Sequence, residues 1–207
     1  AFGASINMRT SKVAEKAFGE LGAVGGSYNT QRYTARFGTG LLPAKEGGAR
    51  FSLDGRLSTV TSDGYIDRAT ADLKSYFVQG AWVGRTRSLR AITFGGRERT
   101  YQAWNGVPRE VLDTNRTWNE YTYEDQVDDY RQTHYQLLFD QRIGNDATLN
   151  ITAFRVLGNG FFEQYREEDD MAFYGITPAV INGDTLSTTD LVRRRWLDNT
   201  LDGVNAS

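Results

Sequence analysis

The chain has 207 residues, enough for one domain with a sizeable core. A formal net charge of −2 offers no electrostatic case for nucleic-acid binding, and the lack of cysteine excludes disulfides and thiolate metal sites. With 22 glycines, 3 prolines and 13% aromatic residues at negative mean hydropathy, the chain reads as one element with an apolar and a wet face, repeated many times.

Period-two alternation marks the strands in chain order. Residues 16–28 form a first, Gly- and Ala-rich strand whose outward face is unmarked. In 31–42, Tyr33, Ala35, Phe37 and Leu41 alternate with Arg32, Thr34, Arg36 and Gly38. In 49–59, Phe51, Leu53 and Leu57 alternate with Arg50, Ser52, Asp54 and Arg56. Residues 73–84 and 88–97 alternate less cleanly, and 134–143 and 147–157 alternate well. These strands run about ten to thirteen residues, against the usual ~5–6, and a tilted membrane strand needs about 9–11. No stretch has the roughly 18 apolar residues of a membrane helix. A soluble sandwich with one buried face shows the same alternation.

The connections separate these two readings. Residues 43–48, 84–87 and 144–146 are short polar turns, whereas 62–72, 96–132 and 158–190 read as long loops. Short turns on one rim and long loops on the other are the outer-membrane arrangement. The connection at Asn29-Thr30 is the exception, short on the long-loop rim. The 96–132 segment interleaves aromatic residues with arginines, so it is expected to fold rather than to remain disordered.

Few residues carry bond-making chemistry. His134 is the only histidine, which excludes a catalytic triad or multi-histidine metal site within the chain. It reads as a lumen-facing residue at a loop–strand junction, with a single ligand contribution as the rival. The acidic groups around Glu124–Asp129 and Glu163–Asp170 lack the spacing of a calcium loop and read as solvated surface. The candidate ligand-binding residues are Arg97, Arg99, Tyr101, Trp104, Arg109, Trp118, Tyr121 and Tyr123. Arginine grips anionic oxygens and aromatic rings stack on flat groups; packing between loops and an interfacial aromatic belt compete with that reading. Arg193-Arg194-Arg195 is placed near a periplasmic strand end.

Several short motifs resemble one family. Ala1-Phe2-Gly3-Ala4-Ser5-Ile6-Asn7-Met8-Arg9-Thr10 is similar to the last plug strand of TonB-dependent outer-membrane receptors. Gly25–Thr30 resembles their first barrel hairpin, and Ser62-Asp63-Gly64-Tyr65 with Asp67 a loop after the third strand. Tyr101-Gln102-Ala103-Trp104, the run Tyr121–Tyr130 and Thr133-His134-Tyr135-Gln136-Leu137 resemble a branch common in Bacteroidetes.

The resemblance implies an all-β fold, an antiparallel transmembrane β-barrel segment of about eight strands from a roughly 22-stranded barrel. Residues 1–12 would end the plug domain and 13–207 begin the barrel. The chain opens without an initiator Met or basic leader, and a segment of a longer protein is expected. The implied function is import of a nutrient complex, foremost a ferric siderophore, across the Gram-negative outer membrane. Energy would come from the TonB–ExbB–ExbD complex, outer-membrane lipid would be the surround, and no cofactor or catalysis is implied. A non-transporting barrel, such as an adhesin or barrel enzyme, and a soluble β-sandwich binding module remain the alternatives.

Overall fold

The computed structural model describes residues 13–44 and 46–207; the expected plug segment, 1–12, lies outside them. The described residues are all-β. Eight strands form one antiparallel meander: β1 (Ala17–Gly26), β2 (Thr30–Thr39), β3 (Arg50–Ser62), β4 (Ala71–Val83), β5 (Arg87–Tyr101), β6 (Val127–Ile143), β7 (Ala147–Asp170) and β10 (Thr188–Ala206). A separate hairpin, β8 (Ala179–Ile181) with β9 (Asp184–Leu186), lies between β7 and β10 in sequence. The sheet is not closed: β1 and β10 each pair on one edge only.

Neighbouring strands run in opposite directions, so connections alternate between two rims. Residues 40–49, 84–86 and 144–146 join strands at one rim; 27–29, 63–70, 102–126 and 171–187 join them at the other. The rim asymmetry expected from the sequence is present from β4 onward, where 84–86 and 144–146 oppose 102–126 and 171–187; before it, 40–49 is longer than 27–29 and 63–70. The short connection on the long rim, 27–29, is a tight hairpin turn in which Tyr28 and Asn29 both take positive φ (58° and 52°) and Thr30 N–H donates to Ser27 O at 3.1 Å. Such a turn matches the right-handed strand twist, so no longer loop is needed there.

Two long loops are shorter than the sequence suggested. Strand pairing continues through residues 96–101 and 127–132, and 158–170 and 188–190 are also strand. β7 reaches 24 residues and β10 19, forming a ribbon that rises above the rest of the wall. Alternation fails as a signal there because both faces mix apolar and polar residues, Phe161 and Tyr165 beside Glu163 on one and Phe162 beside Gln164 on the other. The run Arg193–Arg195 lies opposite Gln164, Glu163 and Phe162, toward the long-loop rim and not at the short-turn end. The bulge between Thr189 and Leu191 accommodates the change of register into this ribbon. His134 lies well inside β6 rather than at its junction, with its ring stacked on Phe94 at 4.3 Å on the polar face.

Register sorts the side chains into two faces. One carries Glu20, Arg32, Arg36, Asp54, Arg56, Gln79, Arg90, Gln132, His134 and Gln136. Its charges are partly satisfied within the sheet: Arg36 donates to Glu20 at 3.0 Å and Gln79 to Asp54 at 3.3 Å. The other face carries Leu21, Phe37, Phe51, Leu53, Leu57, Tyr76, Val78, Trp82, Leu89, Tyr135, Leu137, Phe139, Leu149 and Ile151. On β6 this apolar band runs from Thr133 to Ile143. At about 3.4 Å per residue and a tilt of about 40°, that is a height of about 26 Å, comparable with the apolar belt of outer-membrane barrels.

The band is open to its surroundings: Leu21 is 87% exposed and Leu57 59%. Among the described residues no second layer covers it, and the hydrophobic core is instead a small cluster at the long-loop rim. The band is interrupted on the last two strands, where Arg155 and Asp202 pair at 3.3 Å. β10 mixes the pattern: Trp196 and Val204 stand on the apolar face beside Asp198, Thr200 and Asp202, while Leu197 and Leu201 stand on the polar one.

Candidate functional site

Residues 102–126 form a folded cap over the upper ends of β5, β6 and β7. Its core is Tyr101, Tyr121 and Val127, packed against Phe161. A loop with so little apolar volume needs polar groups to fix its backbone, and three side chains supply them. Gln102, fully buried, donates to the carbonyl oxygens of Glu163 (2.7 Å) and Val127 (3.3 Å). Asn119, 4% exposed, donates to the carbonyls of Asp67 and Gln102, both at 2.9 Å, and accepts from Tyr121 N–H at 3.1 Å. Arg68 donates to the carbonyls of Tyr121 and Asn119, both at 2.9 Å. Its own positive φ of 65°, disfavoured for a side-chain-bearing residue, is held by these bonds. The loops 63–70 and 102–126 are thus one unit. Sequence reading missed Arg68, Gln102 and Asn119 as keystones because backbone capture by a side chain leaves no spacing pattern.

The eight candidate residues fall into distinct places. Tyr101 and Tyr121 are core, and the Tyr101 hydroxyl donates to Tyr123 O at 2.6 Å. Burial raises the pKa of both phenols above the ordinary tyrosine value, so both are neutral hydrogen-bonding groups. Trp104 is half exposed and meets Phe162 edge-on at 5.6 Å, toward the polar face. Tyr123 stacks on Tyr165 at 5.8 Å toward the opposite face. Trp118 is partly buried within the cap. Arg109 opens the helix α1 (Arg109–Thr114), exposed and paired with Asp113 at 3.3 Å.

Arg97 and Arg99 lie in β5 just above the apolar band. Arg97 grips Asp129 with both Nε (2.8 Å) and Nη2 (2.5 Å), and Arg99 donates to Asp125 at 3.1 Å. The Arg97 hydrogen bonds hold the Asp129 carboxyl below its usual range, against the opposing effect of burial. A carboxylate so lowered adds stability above its unfolded pKa and loses it as pH falls through the folded value. We therefore expect the wild-type protein to lose more thermal stability than Asp129→Asn between pH 6 and acid of about pH 3. Paired melting curves measure this; parallel curves contradict it.

One cross-strand row on the polar face brings together groups of different chemistry: Thr100, Asp128, Phe162 and Arg195. The Arg195 guanidinium lies 5.8 Å from the Phe162 ring, whose edge Trp104 touches. Burial, and then the adjacent Asp129, raise the Asp128 carboxyl above its usual range. Above this row Arg193 donates to Gln164 at 2.6 Å. Two aromatic rings, a cation and an acid at one mouth can hold a flat or ring-shaped ligand bearing anionic oxygens. Phe162 and Arg195 entered this group only through the extended β7–β10 pairing. Among the described residues no group of three or more His, Asp or Glu side chains is placed to hold a metal ion. No family model, curated protein or solved structure matches the chain.

Proposed function

We propose that this chain is part of the wall of a TonB-dependent outer-membrane receptor, which captures a nutrient complex at its long-loop rim and imports it. The observation that carries the membrane part is the open apolar band backed by a polar face. Burying one Leu or Phe side chain is worth about 1.5–3 kcal/mol, so a row of such groups left in water forfeits that amount repeatedly. Lipid is the solvent that stabilises the band, and a hydrated lumen is the one that stabilises Arg32, Arg36 and Arg56. A soluble sandwich would need a second layer over the band. The open edges β1 and β10 are, on this reading, paired by further strands of the same barrel.

The import part is supported by the motifs that resemble this family and by the folded cap above the lumen. Binding rather than bond-making is the chemistry on offer, with a ferric siderophore as the foremost cargo. Trp104→Ala and Arg195→Ala are each expected to weaken ligand capture about tenfold, the equivalent of about 1.4 kcal/mol. Uptake by a deletion strain complemented with each variant tests this, with surface amounts matched. The reading fails if deletion impairs uptake of no siderophore, haem, cobalamin or oligosaccharide.

A further inference from the structure

Directly above the apolar band, register places Tyr33, Thr59, Lys74, Arg97 and Arg131 in one row across five strands. Three cations thus stand side by side on β4, β5 and β6, and like charges on directly opposed strand positions destabilise a sheet. The row above, Asp72, Arg99 and Asp129, relieves only part of this. Lys74 reaches Asp72 at 3.2 Å and Arg97 holds Asp129, while Arg131 makes no ion pair among the described residues.

Below the cations, the next row is Leu21, Ala35, Leu57, Tyr76, Gly95 and Thr133. Ala35 leaves space between Leu21, Leu57 and Tyr76, and these residues with Thr133 and the cation row line an open groove of about 970 Å³. Lys74, Arg97 and Arg131 are among its lining residues, and no carboxylate is.

We propose that this groove docks a phosphorylated, acylated glycolipid of the outer leaflet, with acyl chains against Leu21, Leu57 and Tyr76 and phosphates on Lys74, Arg97 and Arg131. The inference rests on the membrane reading above, which places this face toward lipid. Charge and shape select the occupant. The cation row spans two strand spacings, about 10 Å, more than one phosphate covers, so a headgroup with two phosphates fits best. The groove changes from apolar to cationic along the membrane normal, as an anionic lipid does. The site lies on the long-loop side of the band, so the leaflet is the external one.

The test uses the full-length protein, purified in a neutral detergent, with bisphosphorylated lipid A as probe and native mass spectrometry as readout. Wild-type protein is expected to bind it at least about tenfold more tightly than dephosphorylated lipid A. Arg131→Gln, which breaks no ion pair, and the double variant K74Q/R131Q are expected to lose most of that preference. Leu57→Asn in the floor is expected to weaken both lipids. Equal binding of the two lipids, unchanged binding by the Arg131→Gln protein, or displacement by millimolar inorganic phosphate overturns the proposal. Fractionation separates the two failures: protein absent from the outer membrane sinks the barrel reading and this site with it. Protein present there, with no phosphate preference, sinks this site alone.

Discussion

On the proposed membrane reading, Leu137→Arg is expected to cut the amount of folded protein in the outer membrane severely, while Gln136→Arg leaves it near wild type. The two residues are neighbours in β6 and therefore point to opposite faces. Leu137 lies mid-band, 47% exposed, in a row with Ala91, Gly80 and Leu53. An arginine at the midplane of an outer-membrane barrel costs about 2–4 kcal/mol on the lipid face and little in the lumen. Gln136 pairs with Ile92 and Phe154 on the polar face, where Arg32, Arg36 and Arg56 already show that guanidinium groups are tolerated. Heat-modifiable mobility of the membrane-extracted protein measures the folded fraction. Equal loss in both variants would point to a sheet buried on both sides; no loss in either would point to a sheet open to water on both.

Asn119→Ala is expected to open the cap without unfolding the wall. The side chain makes three hydrogen bonds from a site that is 4% exposed, to Asp67 O, Gln102 O and Tyr121 N–H. Removing it leaves two carbonyls and an amide without their partner, each worth about 1–3 kcal/mol of desolvation when buried. The cap's apolar core of Tyr101, Tyr121 and Val127 is too small to absorb several kcal/mol. The strands below are paired residue by residue over the whole of β5 and β6 and do not depend on it. Limited proteolysis should therefore cut within 102–126 in the variant and spare it in the wild type. Ligand capture should fall with it, while membrane assembly stays intact. A protected cap in the variant would show that the network is dispensable.

The strand order and the two rims were legible in the sequence because each strand carries its environment on alternate residues. Between Tyr33 and Leu57, or Tyr135 and Leu149, apolar and polar neighbours meet different solvents, and period two records that difference. The signal stops where the difference stops. Above Thr133 both faces of β7 mix apolar and polar residues, so strand at 158–170 reads as loop. The first hairpin was short for a reason of turn geometry at Tyr28 and Asn29, whose positive φ values no alternation reports. The mixed faces of β10 follow from the register set by Arg193 with Gln164 and Arg194 with Glu163, pairings visible only in three dimensions.

The candidate site was legible by location and not by role. The aromatic and arginine-rich segment does form the structured rim, but Tyr101 and Tyr121 are spent on packing and Arg97 on Asp129. The residues that come together at the rim on the polar face are Trp104, Phe162 and Arg195, two of them from strands across the sheet. Composition marks which segment is rich in contact chemistry; register decides which side chains share a face.

The proposed membrane wall is tested most directly by site-directed spin labelling along β6 of the full-length protein, in which these 207 residues contribute no cysteine to compete for label. Labels at 133, 135, 137, 139 and 143 should be reached by oxygen dissolved in lipid and shielded from a water-soluble nickel relaxant. Labels at 132, 134, 136 and 138 should show the reverse, and the lipid signature should end at 131. Odd positions shielded from both reagents would mean a protein layer covers the band, and the wall would then be no membrane wall.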